Sequence, residues 1–384
     1  MPSAIVSVTN DLTTDQRVDR TCQTLVKLGY DVLLVGRRLR NSKQLAPRSY
    51  RTHRMRLLFD KGPLFYAEYN IALFFYLLTH SSDMLVSNDL DTLPANYLAN
   101  LIKHPFSGAG QTSQISHLHD CHEYFRGVPE LAGRNSVTKI WKWIEDRIFP
   151  RIKYVTAVNK SVAELYHNEY GNRIVILRNV PFRKQLAGAV DKKVLNIRAN
   201  QKIILYQGAL NVDRGLEEAI LAMKYLKTDA VMVIIGIGDV SESLKTLAET
   251  EGISEKVRFP GQIPFQHLHG YTQIADLGLS VEKDVSVNYH FCLPNKFLDY
   301  IQANIPVLVS PFPEMKSLVE RYQIGEFLED HDPVTLALQL DKLLNDEVKL
   351  FGFKLNLLKA AEELCWENEE LGLINLLNNR IIEH

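Results

Sequence analysis

Short hydrophobic runs alternate with amphipathic stretches along the first half of the chain. The run "AIVSVT" (4–9) is typical of a buried strand, and "DQRVDRTCQTLVKLG" (15–29) has the spacing of a helix that ends at Gly29. Further strands are predicted in the runs "DVLLVG", "MLVSN", "ISHLHD", "YVTAVN" and "IVILRN". Strands that alternate with helices favour a parallel sheet covered on both faces, so we predict a doubly wound α/β domain over residues 1–182.

The alternation stops in a polar stretch and then starts again. Residues 184–201 show no core pattern, and the strands "KIILYQG", "AVMVIIG", "KVRFPG", "LGLSVE" and "PVLVS" follow. A chain of 384 residues is also longer than one hydrophobic core usually supports. We therefore predict a linker at 183–199 and a second doubly wound domain at 200–362, with a ligand cleft between two Rossmann-like domains.

The composition is that of a globular protein from a reducing compartment. Hydrophobic residues make up 46% of the chain, and its four cysteines lie too far apart for metal-ligand or disulfide spacing. No signal peptide is predicted, because "MPSAIVSVTN" opens directly on a strand. The most apolar run, residues 65–78, is too short to span a bilayer. Together these observations predict a cytoplasmic location.

Charge is divided unevenly between the two halves. The net charge is −1, but residues 1–190 carry 25 lysines and arginines against 16 acidic residues, and the remainder is acidic. Nine of these bases lie between Arg37 and Lys61. The apolar residues in and beside this segment are Leu57, Leu58, Phe59, Leu64 and Phe65. Two interpretations stay open: a solvated basic face, or attachment of residues 37–65 to an anionic membrane surface. No nucleic-acid partner is predicted.

Candidate binding residues gather where strands of the second domain end. Ligands of open α/β sheets bind beyond the carboxyl ends of the strands. There, Gly208 permits close backbone approach, and Arg214 and Lys296 each lie where a helix is predicted to begin. A cation beside free helix amides is suited to a diphosphate, and Asp299, one turn further on, is suited to two ribose hydroxyls. Any one of these residues alone could equally be a solvated surface charge.

The order of these motifs resembles family 4 glycosyltransferases, which have the GT-B fold. The donor-domain segments are "YQGALNVDRGLEEAILAM", "VMVIIGIGD", "KVRFPGQIP", "IADLGLSVE" and "LPNKFLDYIQANIPVLVS", and upstream ones are "VSNDLDTLPANYLA", "HDCHEYF" and "YVTAVNKSVAELYHNEYG". The resemblance covers nearly the whole chain. It implies retaining transfer from a nucleoside-diphosphate sugar, UDP- or GDP-linked. It also implies a terminal helix, residues 363–384, that packs back on the first domain.

The chain departs from the family pattern at the donor site. The second of two family glutamates corresponds to Asp299, and the first falls on Phe291, which cannot bind sugar hydroxyls. Arg214 matches the second member of the family's basic pair, whereas the first falls on Ala209, and Lys296 is the candidate that supplies the missing charge. The polar residues that we expect to compensate for Phe291 are Asn288, His290 and Asn295.

The acceptor side is expected on the first domain. Asn10, Asp11 and Arg17 lie between the first strand and the first helix, where they could line the cleft. The family resemblance implies a histidine near the sugar in "HDCHEYF" (119–125). We assign that contact to His122 and the orientation of the acceptor to Glu123. Each of these residues has an alternative as a hydrogen-bonded structural residue.

Three other motifs suggest different chemistry. The acidic triplet Asp89-Leu90-Asp91 resembles a metal-binding motif of another glycosyltransferase fold, but it lies far in sequence from the diphosphate residues. The Gly236-Ile237-Gly238 pair lacks the third glycine of a dinucleotide fingerprint. The twelve histidines include no His-Glu-x-x-His arrangement. We therefore predict neither a metal nor a cofactor, because protein cations can neutralise the leaving group.

The sequence predicts a retaining, metal-independent hexosyltransferase that acts on a glycan or lipid-linked acceptor in cell-surface polysaccharide synthesis. It would work in the cytoplasm or on the inner face of the plasma membrane. Three alternatives stay open: a nucleotide-sugar epimerase on the same fold, a nicotinamide-dependent oxidoreductase, and a non-catalytic nucleotide-sugar-binding protein.

Overall fold

The protein consists of two compact units. The computed structural model describes residues 1–103, 116–128, 134–186 and 188–378. One unit comprises Met1–Asn179 together with the segment that begins at Asn368, and the other comprises Val180–Glu367. The segment predicted as a linker, 183–199, therefore belongs to the second unit.

The first unit is built on one seven-stranded parallel sheet with the strand order β3-β2-β1-β4-β5-β6-β7. Ile5 on β1 pairs in register with Leu33 of β2 on one side and with Leu85 of β4 on the other. The strands are β1 Ser3–Ser7, β2 Asp31–Arg38, β3 Arg51–Arg56, β4 Met84–Asn88, β5 His117–Cys121, β6 Tyr154–Ala157 and β7 Ile174–Ile176.

Among the described residues of this unit, five α-helices connect the strands and cover the sheet. They are α1 Gln16–Lys27, α2 Gly62–Thr79, α3 Leu93–Lys103, α4 Asn135–Ile148 and α5 Lys160–Tyr170. Helix α1 begins at Asp15, whose carboxylate accepts a hydrogen bond from the Val18 amide. Helix α5 begins with the same kind of cap at Asn159 and ends at Gly171, which has a left-handed backbone. The predicted doubly wound arrangement of this half is confirmed.

The second unit repeats the architecture with a six-stranded parallel sheet in the order β10-β9-β8-β11-β12-β13. Its strands are β8 Lys202–Gln207, β9 Ala230–Ile235, β10 Val257–Gly261, β11 Leu277–Ser280, β12 Val307–Val309 and β13 Gly325–Phe327. Its helices are α6 Leu216–Tyr225, α7 Ser241–Thr250, α8 Phe265–Thr272, α9 Val287–His290, α10 Asn295–Gln302, α11 Pro313–Tyr322, α12 Pro333–Asn345 and α13 Glu347–Glu363. The last helix of the described residues is α14 Trp366–Leu377.

The core of the second unit lies between this sheet and its helices. Ile220 and Met223 of α6 are fully buried, and Leu340 of α12 packs into the same cluster. Strand β9 is buried at every position, which explains why "AVMVII" is apolar throughout and not alternating. Helix α10 lies against β11, so the loops at the carboxyl ends of β8 and β11 come close to its first turn.

The basic segment 37–65 includes parts of several regular elements. It contains the end of β2, the edge strand β3 and the start of α2. Leu57 and Phe65 pack in the core, and the Arg37 guanidinium lies 4.2 Å from the Phe65 ring centroid. Leu57 and Phe65 are therefore not available to a bilayer, because α2 folds onto the sheet and buries Phe65. Leu58, Phe59 and Leu64 are exposed, and attachment of residues 37–65 to a membrane stays a prediction. Across the described residues, no helix is both long enough and apolar enough to cross a bilayer.

The last described segment contacts the first unit's own residues. Glu370 accepts hydrogen bonds from the Thr24 hydroxyl at 2.9 Å and from the Lys27 ammonium, and Glu369 pairs with the Arg178 guanidinium at 2.7 Å. Residues 379–384 of the predicted terminal helix lie outside the described residues.

Candidate functional site

A glycine brings the first candidate cation of the second unit into place. Gly215, immediately before α6, has φ +70°, and a Cβ there would lie 2.2 Å from the Val281 carbonyl oxygen. Only glycine therefore lets α6 begin against the end of β11. The Asp213 carbonyl oxygen also accepts a hydrogen bond from the Lys283 amide at 2.9 Å. These backbone contacts hold Arg214 beside Glu282.

Glu282 is the centre of the charged cluster. It follows β11, is completely buried, and its Oε1 accepts hydrogen bonds from the Lys296 ammonium and, at 3.4 Å, from Arg214 Nη1. Its Oε2 accepts a hydrogen bond from the Ser280 hydroxyl at 2.9 Å. Burial by itself would raise the pKa of Glu282, but Lys296 and Arg214 outweigh burial and lower that pKa below its usual value. Glu282 is therefore ionised at neutral pH.

The two cations of the cluster differ in accessibility. The Lys296 side chain is 6% exposed and that of Arg214 is 22% exposed. The Lys296 ammonium lies 4.5 Å from the Tyr206 ring centroid, whereas the Arg214 guanidinium lies 4.8 Å from that of Tyr289. Burial opposes the charge on both residues, yet their neighbours, Glu282 among them, raise both pKa values. The predicted pair of cations is thus present and charged, but Lys296 is nearly inaccessible.

Asp299 does not lie free for a ribose. Its Oδ1 accepts a hydrogen bond from the Lys184 ammonium at 3.0 Å, and its Oδ2 accepts one from the Gln207 amide at 3.2 Å. Gln207 is itself held by the Thr272 hydroxyl, at 2.7 Å. The carboxylate therefore has a fixed position at the end of β8, and each of its oxygens already has one donor.

The remaining donor-side candidates lie around the loop before α10. Asn288 and His290 are on the short helix α9, and His290 Nδ1 lies 2.8 Å from the Asp284 carboxylate. Asn295 is exposed at the start of α10. Phe291 ends α9 and packs edge-on against the His290 ring, with 4.8 Å between ring centroids. These residues lie close to each other along the chain, on α9 and at the start of α10. Their contacts with a sugar stay a prediction.

The glycines after β8 and β9 have a packing role. A Cβ at Gly236 would lie 1.8 Å from the Gly208 carbonyl oxygen, and both glycines have positive φ angles, +144° and +136°. The loops after these two strands therefore touch through their backbones. This contact accounts for the first glycine of the Gly236-Ile237-Gly238 motif, whereas Gly208 is required by its positive φ angle.

His122 is the best-defined candidate of the first unit. Its Nε2 lies 3.0 Å from the Asn88 side-chain oxygen and 3.2 Å from Asp120 Oδ2, and its Nδ1 lies 3.5 Å from the Asp89 carboxylate. Burial would lower the pKa of His122, but Asp89 and Asp120 outweigh it and raise that pKa to about 9. His122 is therefore a cation at neutral pH.

Arg17 supports this arrangement from the interior. Its Nε and Nη2 form a two-pronged pair with Asp120, at 2.9 and 2.6 Å, and the side chain is 3% exposed. Burial would raise the pKa of Asp120, but Arg17 and His122 hold it well below its usual value. The prediction that Arg17 lines a cleft needs correction, because its guanidinium is buried against Asp120 and the Leu177 carbonyl.

The other acceptor-side candidates are partly exposed loop residues. Asn10 donates to Asp15 at 2.7 Å, and Asp11 accepts hydrogen bonds from the amide and hydroxyl of Thr13. These contacts fix the loop after β1. Glu123 follows His122 at the end of β5, where it is half-buried.

The acidic triplet lies at the carboxyl end of β4 in the first unit. Asp89 accepts a hydrogen bond from the His122 amide at 2.8 Å, and Asp91 accepts one from the Thr9 hydroxyl at 2.6 Å. Burial raises the pKa of Asp91 to about 7. Within the described ranges, no group of three or more His, Cys, Asp or Glu side chains is arranged to hold a metal ion.

Two residues of the site were missed by sequence reasoning. Glu282 ends the predicted strand "LGLSVE", where an acidic residue at a buried strand end would have been the signal. Lys184 lies in the stretch that was interpreted as a linker, and nothing in the local pattern marks it as a partner of Asp299.

Comparison with known families agrees with this architecture. A model described as "Glycosyltransferase Family 4" matches residues 15–180, and one described as "Glycosyl transferases group 1" matches residues 189–363. An uncharacterized glycosyltransferase from Methanocaldococcus jannaschii is 24% identical over 194 residues, which cover 48% of this chain and 47% of that protein. The match thus spans about half the length of that relative. The chain belongs to the family 4-like glycosyltransferases with the GT-B fold.

Solved structures show the same fold. Sucrose-phosphate synthase from Thermosynechococcus elongatus superposes with a TM-score of 0.78 at 17% identity, over 99% of each chain. HepE from Anabaena, determined in complex with UDP and glucose, gives a TM-score of 0.71 at 12% identity, over 99% of this chain and 100% of that one. The GT-B fold with two Rossmann-like domains is therefore confirmed.

The stability of the protein should decline on the alkaline side because of His122. The folded pKa of His122, about 9, lies above its ordinary value of 6.5. Its charge therefore contributes stability fully below pH 6.5, and this contribution disappears as the pH rises through 9. We expect the thermal midpoint of the wild type to fall more steeply over this window than that of His122→Gln. His331→Gln, in the second unit, is the control, and identical slopes for wild type and H122Q would contradict the assignment.

Proposed function

We propose that the protein is a retaining glycosyltransferase that moves a hexosyl group from a nucleoside-diphosphate sugar to a glycan or lipid-linked acceptor. The observation that carries this proposal is the position of Arg214, a partly exposed guanidinium at the carboxyl end of a parallel sheet. Its contact with Glu282 is long, at 3.4 Å, so the exposed part of the guanidinium can donate hydrogen bonds to an anionic ligand.

The reaction deposits negative charge on the departing diphosphate. Fixed positive groups stabilise such charge without reorganising during the reaction. Arg214 supplies one such group, and the first-turn amides of α10 add the positive end of a helix dipole. These protein groups would do the work that a divalent cation does in other transferases, so we propose metal-independent transfer.

The nucleoside would lie at the end of β8. Asp299 can accept hydrogen bonds from ribose hydroxyls with the lone pairs that Lys184 and Gln207 leave available. The structural neighbour HepE was determined with UDP, which supports a nucleoside-diphosphate donor, and both UDP- and GDP-linked sugars are proposed. Asn288, His290 and Asn295 are the proposed sugar contacts, since Phe291 offers no polar group.

The first unit would supply the acceptor side. A protonated His122 donates hydrogen bonds and could bind a hydroxyl of the transferred sugar. Asn88 and the two aspartates fix the orientation of its ring. Glu123, the next residue, is the proposed contact to the acceptor.

Product analysis tests this proposal. Purified protein is incubated with UDP- and GDP-linked hexoses, with and without EDTA, and the sugar products are identified. A new glycoside, formed equally in EDTA, is the expected result. An altered donor would indicate an epimerase, a change in the oxidation state of nicotinamide an oxidoreductase, and donor binding without turnover the non-catalytic alternative that Phe291 favours. Strict dependence on manganese or magnesium would contradict the metal-independent mechanism.

We propose a second candidate membrane contact, on a surface separate from residues 37–65, whose own attachment to an anionic membrane stays a proposal. Helices α2, α3 and α4 pack in that order and leave large apolar side chains exposed. These side chains are Ile71, Phe75, Leu98, Leu101, Ile102, Ile140 and Trp143. The Arg147 guanidinium lies 3.9 Å from the Trp143 ring centroid, so at least one cation accompanies the apolar residues. Apolar residues with flanking cations suit the headgroup region of an anionic bilayer.

Loss of Arg214 should slow transfer. We expect Arg214→Ala to lower kcat by about two orders of magnitude, as the loss of one charge-stabilising donor commonly does. Asp299→Ala should instead raise the Kd of the nucleoside diphosphate with a smaller effect on kcat. Arg321→Ala, an exposed arginine of the same unit, is the matched control. Wild-type rates in the Arg214 variant would exclude it as a diphosphate ligand.

Vesicle binding should depend on the first unit's apolar face. The protein is sedimented with vesicles of phosphatidylglycerol and phosphatidylcholine at low and high salt. We expect Phe75→Ser with Trp143→Ser to abolish binding at low salt, because both side chains are more than half exposed, at 61% and 56%. Phe351→Ser with Leu355→Ser, on the equally exposed face of α13, is the control. Loss of binding in the control pair alone would place the contact on the second unit.

A further inference from the structure

One buried carboxylate oxygen accepts hydrogen bonds from two cations, both of which were predicted to bind the diphosphate. Glu282 Oε1 accepts from both Lys296 and Arg214, in a cluster whose carboxylate is fully buried. The formal charge of the three side chains is that of a single cation. A diphosphate that reaches this cluster therefore meets one net positive charge, not two.

The geometry of the two contacts is unequal. The Lys296 ammonium makes the closer contact with Glu282 and is covered by the Tyr206 ring. Arg214 Nη1 lies 3.4 Å from the same oxygen, at the outer limit of a hydrogen bond. The Arg214 side chain is also more exposed than that of Lys296, at 22% against 6%. Lys296 is thus committed to Glu282, whereas Arg214 keeps donors for another anion.

We infer that Lys296 is a positioning residue that neutralises Glu282, and that Arg214 alone makes the cationic contact with the diphosphate. This inference rests on the proposed function and assigns different parts to the two cations of its donor site. Lys296 satisfies the buried carboxylate, and the carboxylate, through its weak second contact, sets the position of the Arg214 guanidinium. When a diphosphate binds, its oxygens replace Glu282 as the partner of Arg214 while the Lys296–Glu282 pair stays intact.

Removal of the carboxylate charge should strengthen binding of the anion. In Glu282→Gln the oxygen that competes for Arg214 loses its charge, and the net charge of the cluster rises from +1 to +2. We expect the Kd of the nucleoside diphosphate to fall by about threefold to tenfold. A change of this size corresponds to a modest strengthening of one hydrogen bond to a charged group. The Kd of the corresponding nucleoside, which lacks phosphates, should not change. A purely structural role for Glu282 predicts weaker binding of both ligands, which would overturn the inference.

The decisive variant removes both charges of the buried pair. Glu282→Gln with Lys296→Met leaves Arg214 as the single cation, so the cluster keeps the wild-type net charge and has no unpaired buried ion. If Lys296 only neutralises Glu282, the double variant should bind the nucleoside diphosphate within about threefold of the wild type. If Lys296 contacts the phosphates, the double variant should bind about tenfold or more weakly, as after loss of a charged hydrogen bond.

The single variant Lys296→Met completes a double-mutant cycle with Glu282→Gln and the double variant. It leaves Glu282 with Arg214 alone, which should draw the guanidinium inward and weaken diphosphate binding by about tenfold or more. This variant carries an under-neutralised buried carboxylate and is the one most exposed to misfolding. The double variant keeps the test valid if the single one does not fold. The neighbouring pair Lys283–Glu218, at 2.6 Å and partly exposed, gives the control variant Lys283→Met with Glu218→Gln, which should leave the Kd unchanged.

Binding is measured by calorimetry with UDP, GDP, uridine and guanosine, and the tighter diphosphate is carried through the cycle. Wild-type affinity in the double variant supports the inference. Weaker binding of the diphosphate alone shows a direct Lys296 contact, and weaker binding of the nucleoside as well shows a wider structural role; either result overturns it. A wild-type protein that binds neither diphosphate would instead contradict the proposed function, so the two failures are distinct.

Discussion

The arrangement of the second unit's site depends on one buried negative charge. A carboxylate with no exposure to water is costly unless cations and hydrogen bonds surround it, and Glu282 has Lys296, Arg214 and the Ser280 hydroxyl. To meet that need, α6 and α10 must both begin at the end of β11. The close approach of Gly215 to Val281 is part of the same requirement, because it brings the first of these helices within reach.

The first unit also contains a buried carboxylate, which is neutralised by a different set of residues. Asp120 is as deeply buried as Glu282, and it is neutralised from within by Arg17 and from the loop side by His122. In both units an ionised carboxylate near a strand's carboxyl end holds one cation in the interior and a second, more accessible one beside it. The accessible cations, Arg214 and His122, are the groups that can exchange a protein partner for a ligand.

The fold could be predicted from the sequence to a large extent, because periodicity and buried strands are local properties. The two parallel sheets follow from runs such as "AVMVIIG", whereas the edge strands β3 and β13 were missed. Strand β3 reads "RTHRMR", whose polar residues tolerate an edge position but carry no strand signal. The cations of the site could also be named from their places at helix starts.

The ion-pair partners of the site residues could not be predicted from the sequence in the same way. The pairing of Glu282 with Lys296 joins the end of a strand to the first turn of α10, 14 positions later. The pairing of Lys184 with Asp299 spans 115 positions. Neither pairing leaves a trace in local spacing, since each contact arises only once the chain has folded. For the same reason Arg17 was expected at a cleft, although the fold turns its side chain toward Asp120.

The contact of Lys184 with Asp299 bears on how the second unit can be studied in isolation. A recombinant fragment cut at residue 200, where the strand pattern resumes, would look complete by its hydrophobic pattern. It would nevertheless lack the ammonium that holds one oxygen of Asp299, and that carboxylate would keep the hydrogen bond from Gln207. A fragment that starts at Val180, where the compact unit begins, retains this contact and is the appropriate choice for spectroscopy of nucleotide binding.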